Sequence, residues 1–336
     1  MRDPFSEARA FAERARSTEL RAPAEALGWY DRALATLSGD WSETLVDVLR
    51  WKGTAHRECG DTAEADRLYE RSAEIAKEIG YIAGEGHAAN CRGIVSQRRG
   101  DLIGAEQFYW EASQFADRAN DPRLAAMVRR NLGTLAAMRG LPEKALEHYE
   151  ESLRAAQSVN DDDGMSRALN NIALLYLEHG KNRDAEEIFE RVLNAARGRG
   201  DAAVECTALL NLAEVQLRTR RGSEAEAACV EALTIADKRG DRLRRAEALR
   251  LLAGLWSERG ELDRCAAALD EALMLTRDAE DALLAAEVWR ARAALNRRRG
   301  IPDDERTALG NARALFTEAG AWQEVAAVEA ALQRVR

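Results

Sequence analysis

The chain has 336 residues, of which 46% are hydrophobic and 32% are charged, so it can form a sizeable core and is not a disordered tail. Its net charge of −9 argues against nucleic-acid binding over a broad surface, which requires a basic face. It has no apolar run of membrane-spanning length, and MRDPFSEARAF does not resemble a signal peptide. Its five cysteines lack regular spacing. We therefore expect a cytoplasmic protein without a membrane or nucleic-acid partner.

The predicted elements are helices throughout, because alanine, leucine, glutamate and arginine dominate and only five prolines occur. Residues 1–40 are predicted to form a degenerate helical hairpin, with Ala26 and Tyr30 in its second helix. Residues 41–321 are predicted to form seven units of 40 residues, each with two helices of about 17 residues. Residues 322–336 are predicted to form a single capping helix.

Helix ends are marked at two places in each unit. Glycine and asparagine tolerate the left-handed conformation that closes a helix, and aspartate often begins the next one. One series is Gly60, Gly100, Gly140, Gly180, Gly260 and Gly300, with Arg220 in the remaining place; the other is Gly80, Asn120, Asn160, Gly200, Gly240 and Gly320, with Glu280 as the exception. The aspartates that follow are Asp61, Asp101, Asp121, Asp161, Asp201, Asp241 and Asp281.

Packing positions repeat with the same period. The first helix of each unit has a small residue at Gly53, Gly93, Gly133, Ala173, Ala213, Ala253 and Ala293. The second helix has Ala65, Ala105, Ala145, Ala185, Ala225 and Cys265, and one turn later Tyr69, Tyr109, Tyr149, Phe189, Cys229 and Leu269. We interpret the small sites as places of close helix approach and the aromatic sites as core residues. Glu305, in the place of the seventh alanine, indicates that the last unit is decaying.

This spacing of small, alanine and aromatic residues on paired helices resembles the tetratricopeptide repeat, over residues 41 to about 320. The unit has 40 residues rather than about 34. In this it is similar to the repeats of kinesin light chains, bacterial peptide-receptor regulators and sensor domains of signalling ATPases. The resemblance implies an all-α fold, a right-handed superhelical solenoid of stacked antiparallel helix hairpins, whose first helices line a concave groove.

Two polar columns would then face that groove. Asn131, Asn171 and Asn211 occupy one position in three consecutive units, and each amide could bond the N–H and C=O of an extended peptide. Equally, these amides could bond neighbouring repeats and only fix the stacking. The adjacent column consists of Arg50, Asn90, Arg130, Asn170, Leu210, Arg250 and Arg290.

Arginine in these columns favours a partner segment with carboxylates, because the rest of the chain is acidic. Some of these arginines have an acid three residues earlier that could neutralise them: Asp47 before Arg50, Glu247 before Arg250 and Glu287 before Arg290. Arg130 and Arg167, which lies one turn before Asn170, have no acid at that position.

Outside these two columns, the sequence offers only weak candidates for a metal site or a catalytic site. His56 with Cys59 and His87 with Cys91 have the spacing of metal ligands on a helix, but the repeat stacking would not bring the two pairs together. No catalytic constellation occurs at positions that the stacking would unite. We therefore expect no enzyme activity, no metal site and no cofactor.

The sequence predicts a non-catalytic interaction scaffold or sensor that binds a peptide or helical segment, with acidic residues, in its groove. The alternative is a structural assembly subunit that contacts its partners through the convex face or the ends.

Overall fold

The computed structural model describes residues 4–18, 23–37, 39, 41–59, 61–278 and 281–335. Within these ranges the regular elements are seventeen helices, and no strand occurs. The all-α prediction is therefore confirmed. The chain divides into two compact units, one reaching to Leu175 and the other starting at Tyr176.

The first unit contains α1 (Pro4–Thr18), α2 (Pro23–Thr36), α3 (Glu43–Glu58), α4 (Thr62–Glu78), α5 (Ile82–Arg98), α6 (Leu102–Ala119), α7 (Pro122–Met138), α8 (Pro142–Ser158) and the start of α9 (Asp162–Glu178). In this unit α3 pairs with α4, α5 with α6 and α7 with α8 as hairpins. The first helices of neighbouring hairpins, α3, α5 and α7, also contact one another in sequence. We call the surface lined by α3, α5, α7 and residues 162–175 of α9 the first-helix face of this unit.

The second unit contains the end of α9 and α10 (Asn182–Arg199), α11 (Ala202–Arg218), α12 (Gly222–Arg239), α13 (Arg242–Glu258), α14 (Leu262–Asp278), α15 (Ala282–Arg299), α16 (Pro302–Glu318) and α17 (Trp322–Leu332). Its hairpins are α11 with α12, α13 with α14 and α15 with α16, and α17 packs on α16. Here α11, α13 and α15 are the first helices, and they too contact one another in sequence.

The residues predicted to begin and end helices take the expected conformations and hydrogen bonds. Side-chain oxygens of Asp61, Asp101, Asp121, Asp161, Asp201, Asp241 and Asp281 accept hydrogen bonds from backbone N–H groups of the following turn. Asn120 and Asn160 take the left-handed conformation, with φ of 49° and 50°. Arg220 fills the vacant place in the glycine series with φ of 60°. Gly60 and Glu280 lie outside the described residues.

In the hairpins α3–α4, α5–α6 and α7–α8, a tyrosine ring of the second helix packs on a glycine of the first helix. A Cβ atom added to Gly93 would lie 2.5 Å from Tyr109 Cε1, and one added to Gly133 would lie 2.6 Å from the Tyr149 ring. Tyr109 is fully buried and its hydroxyl donates to Gln97 Oε1 at 2.8 Å, so the ring is held at both ends. The aromatic positions are core positions, as the periodicity predicted.

Glu305 is buried rather than lost to a decayed repeat. Its carboxylate accepts a hydrogen bond from Arg297 Nε at 2.7 Å, and this ion pair joins α15 to α16 inside the last hairpin. A buried acid with an arginine partner therefore replaces the small residue of the other hairpins.

Candidate functional site

A hydrogen bond between two amides crosses the first-helix face. Asn131 Nδ2 on α7 donates to Asn90 Oδ1 on α5 at 2.8 Å. Asn90 is completely buried, whereas Asn131 is half-buried. The bond links adjacent repeats, as the stacking interpretation requires, although it runs to a side chain and not to the backbone. It leaves Asn90 Nδ2 buried without a hydrogen-bond partner.

The other amides differ from this pair. Asn171 is half-buried and forms no hydrogen bond with the described residues, so its amide is available on the face. Asn170 and Asn211 are also half-buried, but both already have interactions within the protein. The three asparagines of the predicted column are therefore not equivalent.

Arg130, on α7, forms no ion pair with any described residue. Burial lowers the pKa of this half-buried guanidinium, and the nearby charge of Arg167 lowers it further, although the group remains a cation. Only the nearby Asp163 and two tyrosines oppose these effects. The prediction that Arg130 lacks an acid on its own helix agrees with this geometry.

Two other arginines of the face are neutralised locally. Arg50 Nη2 donates to Asp47 Oδ1 at 2.8 Å, the pair that the sequence predicts. Arg167 was predicted to lack an acid three residues before it, but its Nε donates to Asp163 Oδ2, four residues earlier, at 2.9 Å. Arg167 is therefore neutralised by an acid at the i,i+4 position, which also lies on the same side of the helix.

The arginines of the second unit pair across helices. Arg250 Nε lies 3.2 Å from a carboxylate oxygen of Glu287 on the next first helix, and Arg290 pairs with Glu324 of α17. Glu247, the predicted partner of Arg250, instead bonds Arg244 at 2.5 Å.

The predicted partners of both Arg250 and Arg290 are thus wrong, since the stacking brings an acid of the next helix within reach. Burial raises the pKa of Glu287, and the two arginines Arg250 and Arg290 oppose that shift.

The histidines and cysteines make no metal-like group within the described part of the chain. His56 Nδ1 lies 3.4 Å from Asp61, and His87 Nε2 lies 3.5 Å from Asp121, so each histidine contacts a helix-capping acid. Cys91, Cys206, Cys229 and Cys265 are buried thiols outside any disulfide. Burial raises the pKa of Cys206 to about 11 and that of Cys229 to about 12, which keeps these thiols protonated and unreactive near neutral pH.

The periodic geometry is matched by family and structure comparisons. A family model described as "Tetratricopeptide repeat" matches residues 84–158 and 124–198. The two matches together span residues 84–198, so this part of the chain carries the repeat that the model describes. No curated protein is similar enough in sequence to match it. None of its described helices is long and apolar enough to cross a bilayer.

Solved tetratricopeptide-like structures share this fold at low sequence identity. A Rap protein complexed with Competence and Sporulation Factor is 14% identical, with 98% of each chain covered and a TM-score of 0.60. The quorum sensor NprR of B. thuringiensis, in its apo form, is 10% identical, with 99% of each chain covered and a TM-score of 0.55. A signal transduction ATPase with a tetratricopeptide repeat sensor from Pyrococcus horikoshii is 14% identical, covering 99% of this chain and 52% of that chain, with a TM-score of 0.64.

One recurrent contact between neighbouring helices is not predicted from the sequence. An arginine at the end of a first helix reaches back to the start of the previous second helix and bonds both a backbone carbonyl and an acid. Arg139 donates to Leu102 O at 3.1 Å and to Glu106 at 2.9 Å, and Arg299 donates to Leu262 O at 3.0 Å and to Asp263 at 2.7 Å. All three arginines at the end of α15, Arg297, Arg298 and Arg299, bond other helices. An acid 33 to 36 residues before each of these arginines could have revealed the pattern.

Proposed function

We propose that this chain is a non-catalytic cytoplasmic scaffold or sensor that binds a peptide or helical segment on its first-helix face. The observation that carries the proposal is Arg130, a half-buried cation without an ion-pair partner among the described residues. Asn171 adds a half-buried amide whose donor and acceptor are both available. A segment with carboxylates would supply the missing counter-charge and hydrogen bonds.

The fold neighbours support a peptide partner. The Rap structure holds Competence and Sporulation Factor, and NprR is a quorum sensor. Such scaffolds bind through extended surfaces on stacked helices, and this chain presents polar groups on α3, α5, α7 and α9 in register. Arg50, Asn90, Asn131, Arg167 and Asn170 complete the proposed face of the first unit. Within the second unit, taken by itself, we propose weaker partner contacts at Asn211, Arg250 and Arg290, because both arginines there already have acidic partners.

The test begins with selection of random twelve-residue peptides from a phage library on the full chain. Selected peptides are then titrated against the parent, Met127→Trp and Gln114→Trp. Met127 lies half-buried on the first-helix face, whereas Gln114 is exposed on the second helix α6. We expect Met127→Trp to weaken binding about tenfold or more by blocking the face, and Gln114→Trp to bind like the parent. Equal affinities for all three proteins would contradict the proposal.

A structural assembly role remains the second candidate, because some second helices expose large apolar residues. Ile103 on α6 is 70% exposed and Met274 on α14 is 60% exposed. An assembly partner that binds through these helices should be lost with Ile103→Lys and should tolerate Met127→Trp. The opposite pattern would favour the first-helix face.

A further inference from the structure

We propose that two second helices of the first unit form a docking groove for a basic amphipathic helix, in which α6 supplies an apolar stripe and α8 a row of acids. We call this surface the α6–α8 groove; it is lined by Ile103, Gln107 and Trp110 of α6 and by Glu143, Glu147 and Glu150 of α8. The inference goes beyond the proposed binding on the first helices. It also specifies the partner that an assembly role of the second helices would require.

The apolar stripe lies on the solvent side of α6. Ile103 is 70% exposed and Trp110 is 44% exposed, on the same side of the helix, and the uncharged Gln107 lies between them. The neighbouring second helices α4 and α8 instead carry charges at the positions of Gln107 and Trp110, which are Arg67, Glu70, Glu147 and Glu150. An exposed tryptophan beside an exposed isoleucine is typical of an anchor for another molecule.

The floor of the groove is Arg129 of α7, which lies between the two second helices. Its guanidinium carbon is 5.7 Å from the centre of the Trp110 ring, and its Nη1 is 3.2 Å from Glu151 Oε2 on α8. His148 Nδ1 lies 3.7 Å from the same Glu151 oxygen. The charge of Arg129 is therefore neutralised by Glu151 below the surface, and it does not oppose a cationic partner in the groove.

The acids of α8 supply negative charge that the fold leaves available. Glu143 and Glu147 are exposed and form no ion pair with the described residues, whereas the exposed Glu150 has Arg154 at 3.8 Å. The three acids follow the three stripe residues by 40 positions each, so they occupy the same places in the next repeat. Lysine or arginine on one side of a partner helix would meet these carboxylates while its apolar residues cover the stripe.

The same charges decide between possible occupants of the groove. An acidic segment or an anionic lipid surface would be repelled by the α8 acids. A second copy docked by the same groove would bring the acids of both copies together, because a two-fold contact uses the same surface twice. A helix with apolar residues on one side and lysine or arginine beside them fits both the stripe and the acids.

The test starts from a phage library of eighteen-residue peptides with leucine at helical spacing and Lys, Gln or Glu beside the leucines. We expect selection on the full chain to enrich lysine on one side of the leucine stripe. The selected peptides are titrated against the parent, Ile103→Lys and the control Met274→Lys, whose methionine is 60% exposed on α14. Ile103→Lys should weaken binding about tenfold or more, because it puts a charge into the apolar contact. Met274→Lys should bind like the parent.

Glu147→Lys tests the acids separately from the stripe. It should weaken binding of a lysine-rich peptide about threefold or more at low salt, because an attraction becomes a repulsion. Glu187→Lys is the matched control, since it makes the same change of charge at the corresponding exposed position of α10 and should bind like the parent. Replacing the lysines of the peptide by glutamate should reverse the order, so that Glu147→Lys binds more tightly than the parent.

Several outcomes would overturn the α6–α8 groove. These are enrichment of glutamate, selection of no peptide, equal losses in Ile103→Lys and Met274→Lys, or equal losses in the two charge reversals. A loss with Met127→Trp but not with Ile103→Lys would place the peptides on the first-helix face, which overturns the groove and leaves the proposed function intact. A dimer of the free chain that Ile103→Lys dissociates in analytical ultracentrifugation would assign the surface to a second copy and overturn the basic partner.

Discussion

The ring of Tyr109 lies on Gly93 so closely that a methyl group at that position would be 2.5 Å from Cε1. The same contact recurs between Gly53 and Tyr69, where the distance would be 2.7 Å. In the second unit, Ala213 and Ala253 take the small position, and the ring position holds Cys229 and Leu269. In these hairpins a glycine accompanies a tyrosine and an alanine accompanies a smaller side chain, whereas the sequence pairs Ala173 with the ring of Phe189.

Gly93→Ala is expected to lower the free energy of unfolding by about 1–3 kcal/mol, because the ring must move within a packed hairpin. Gly254→Ala is the matched control, since no atom lies within 4 Å of its added Cβ in α13. That change should raise the stability by about 0.5–1 kcal/mol. Urea unfolding of the three proteins measures both. The cost of Gly93→Ala should also shrink in a Tyr109→Leu background, and an undiminished cost would refute the assigned contact.

Asn131→Ala should lower the free energy of unfolding by about 1–3 kcal/mol, because Asn90 Oδ1 would lose its partner inside the protein. Asn171→Ala should change it little or raise it by about 0.5 kcal/mol, since alanine is the better helix former. Thermal melting followed by circular dichroism distinguishes the two variants, and equal effects would contradict the difference between them.

Arg220→Gly should raise the free energy of unfolding by about 1 kcal/mol. Arg220 has a φ of 60°, which places its Cβ under a strain that glycine does not have. Arg313→Gly is the control, because Arg313 lies on the exposed side of α16 with helical neighbours. There the same substitution should cost about 1 kcal/mol. A loss of stability at both positions would show that Arg220 makes a contact that outweighs its strain.

Asp121 should make the first unit sensitive to acid. His87, whose Nε2 lies 3.5 Å from the carboxylate, lowers the pKa of Asp121 to about 2 together with the backbone N–H groups of Leu124 and Arg123. A carboxyl with a depressed pKa stabilises the fold fully above its unfolded pKa of about 4, and this contribution is lost as pH falls towards 2. Because Asp121 is partly exposed, we expect a contribution of about 1–2 kcal/mol.

Asp121→Asn tests whether the charge of Asp121 stabilises the fold above about pH 4, because asparagine also caps helices but carries no charge. The variant should be less stable than the parent at pH 6 and should approach it at pH 2.5 in urea unfolding. Asp101→Asn, at a cap that bonds Gly104 N, is the control. A difference between Asp121→Asn and the parent that stays constant with pH would be incompatible with the ionised carboxylate as its source.

The sequence predicts helix ends and hairpins well, because these depend on residues close together in the chain. Glycine, asparagine and aspartate mark the helix ends because their preferences are local, and the 40-residue period then assigns the hairpins. Arg220 was the exception, since nothing in its side chain indicates a left-handed residue. Its assignment came only from its place in the series.

The partners of polar side chains are harder to predict. Stacked helices can bring a residue from a neighbouring repeat closer to a side chain than the residues of its own helix. Glu287 was assigned to Arg290 by the i,i+3 rule, yet it lies beside Arg250, whose helix precedes it. Likewise the bond between Asn90 and Asn131 joins residues 41 positions apart. An estimate of which charges remain unpaired therefore requires the register between repeats as well as the sequence of each helix.

The backward-reaching arginines have a consequence for how such a chain can change length. Arg139 finds its carbonyl 37 residues earlier and its acid 33 residues earlier, distances that lie within a single 40-residue period. Tandem duplication of residues 101–140 would therefore repeat Arg139 and both of its acceptors within the added copy, in the original spacing. Insertion of 20 residues would instead present a second helix where a first helix is required. Evolution or design can accordingly lengthen this molecule in whole 40-residue periods. Each added period then brings the arginine contact that joins its first helix to the preceding second helix.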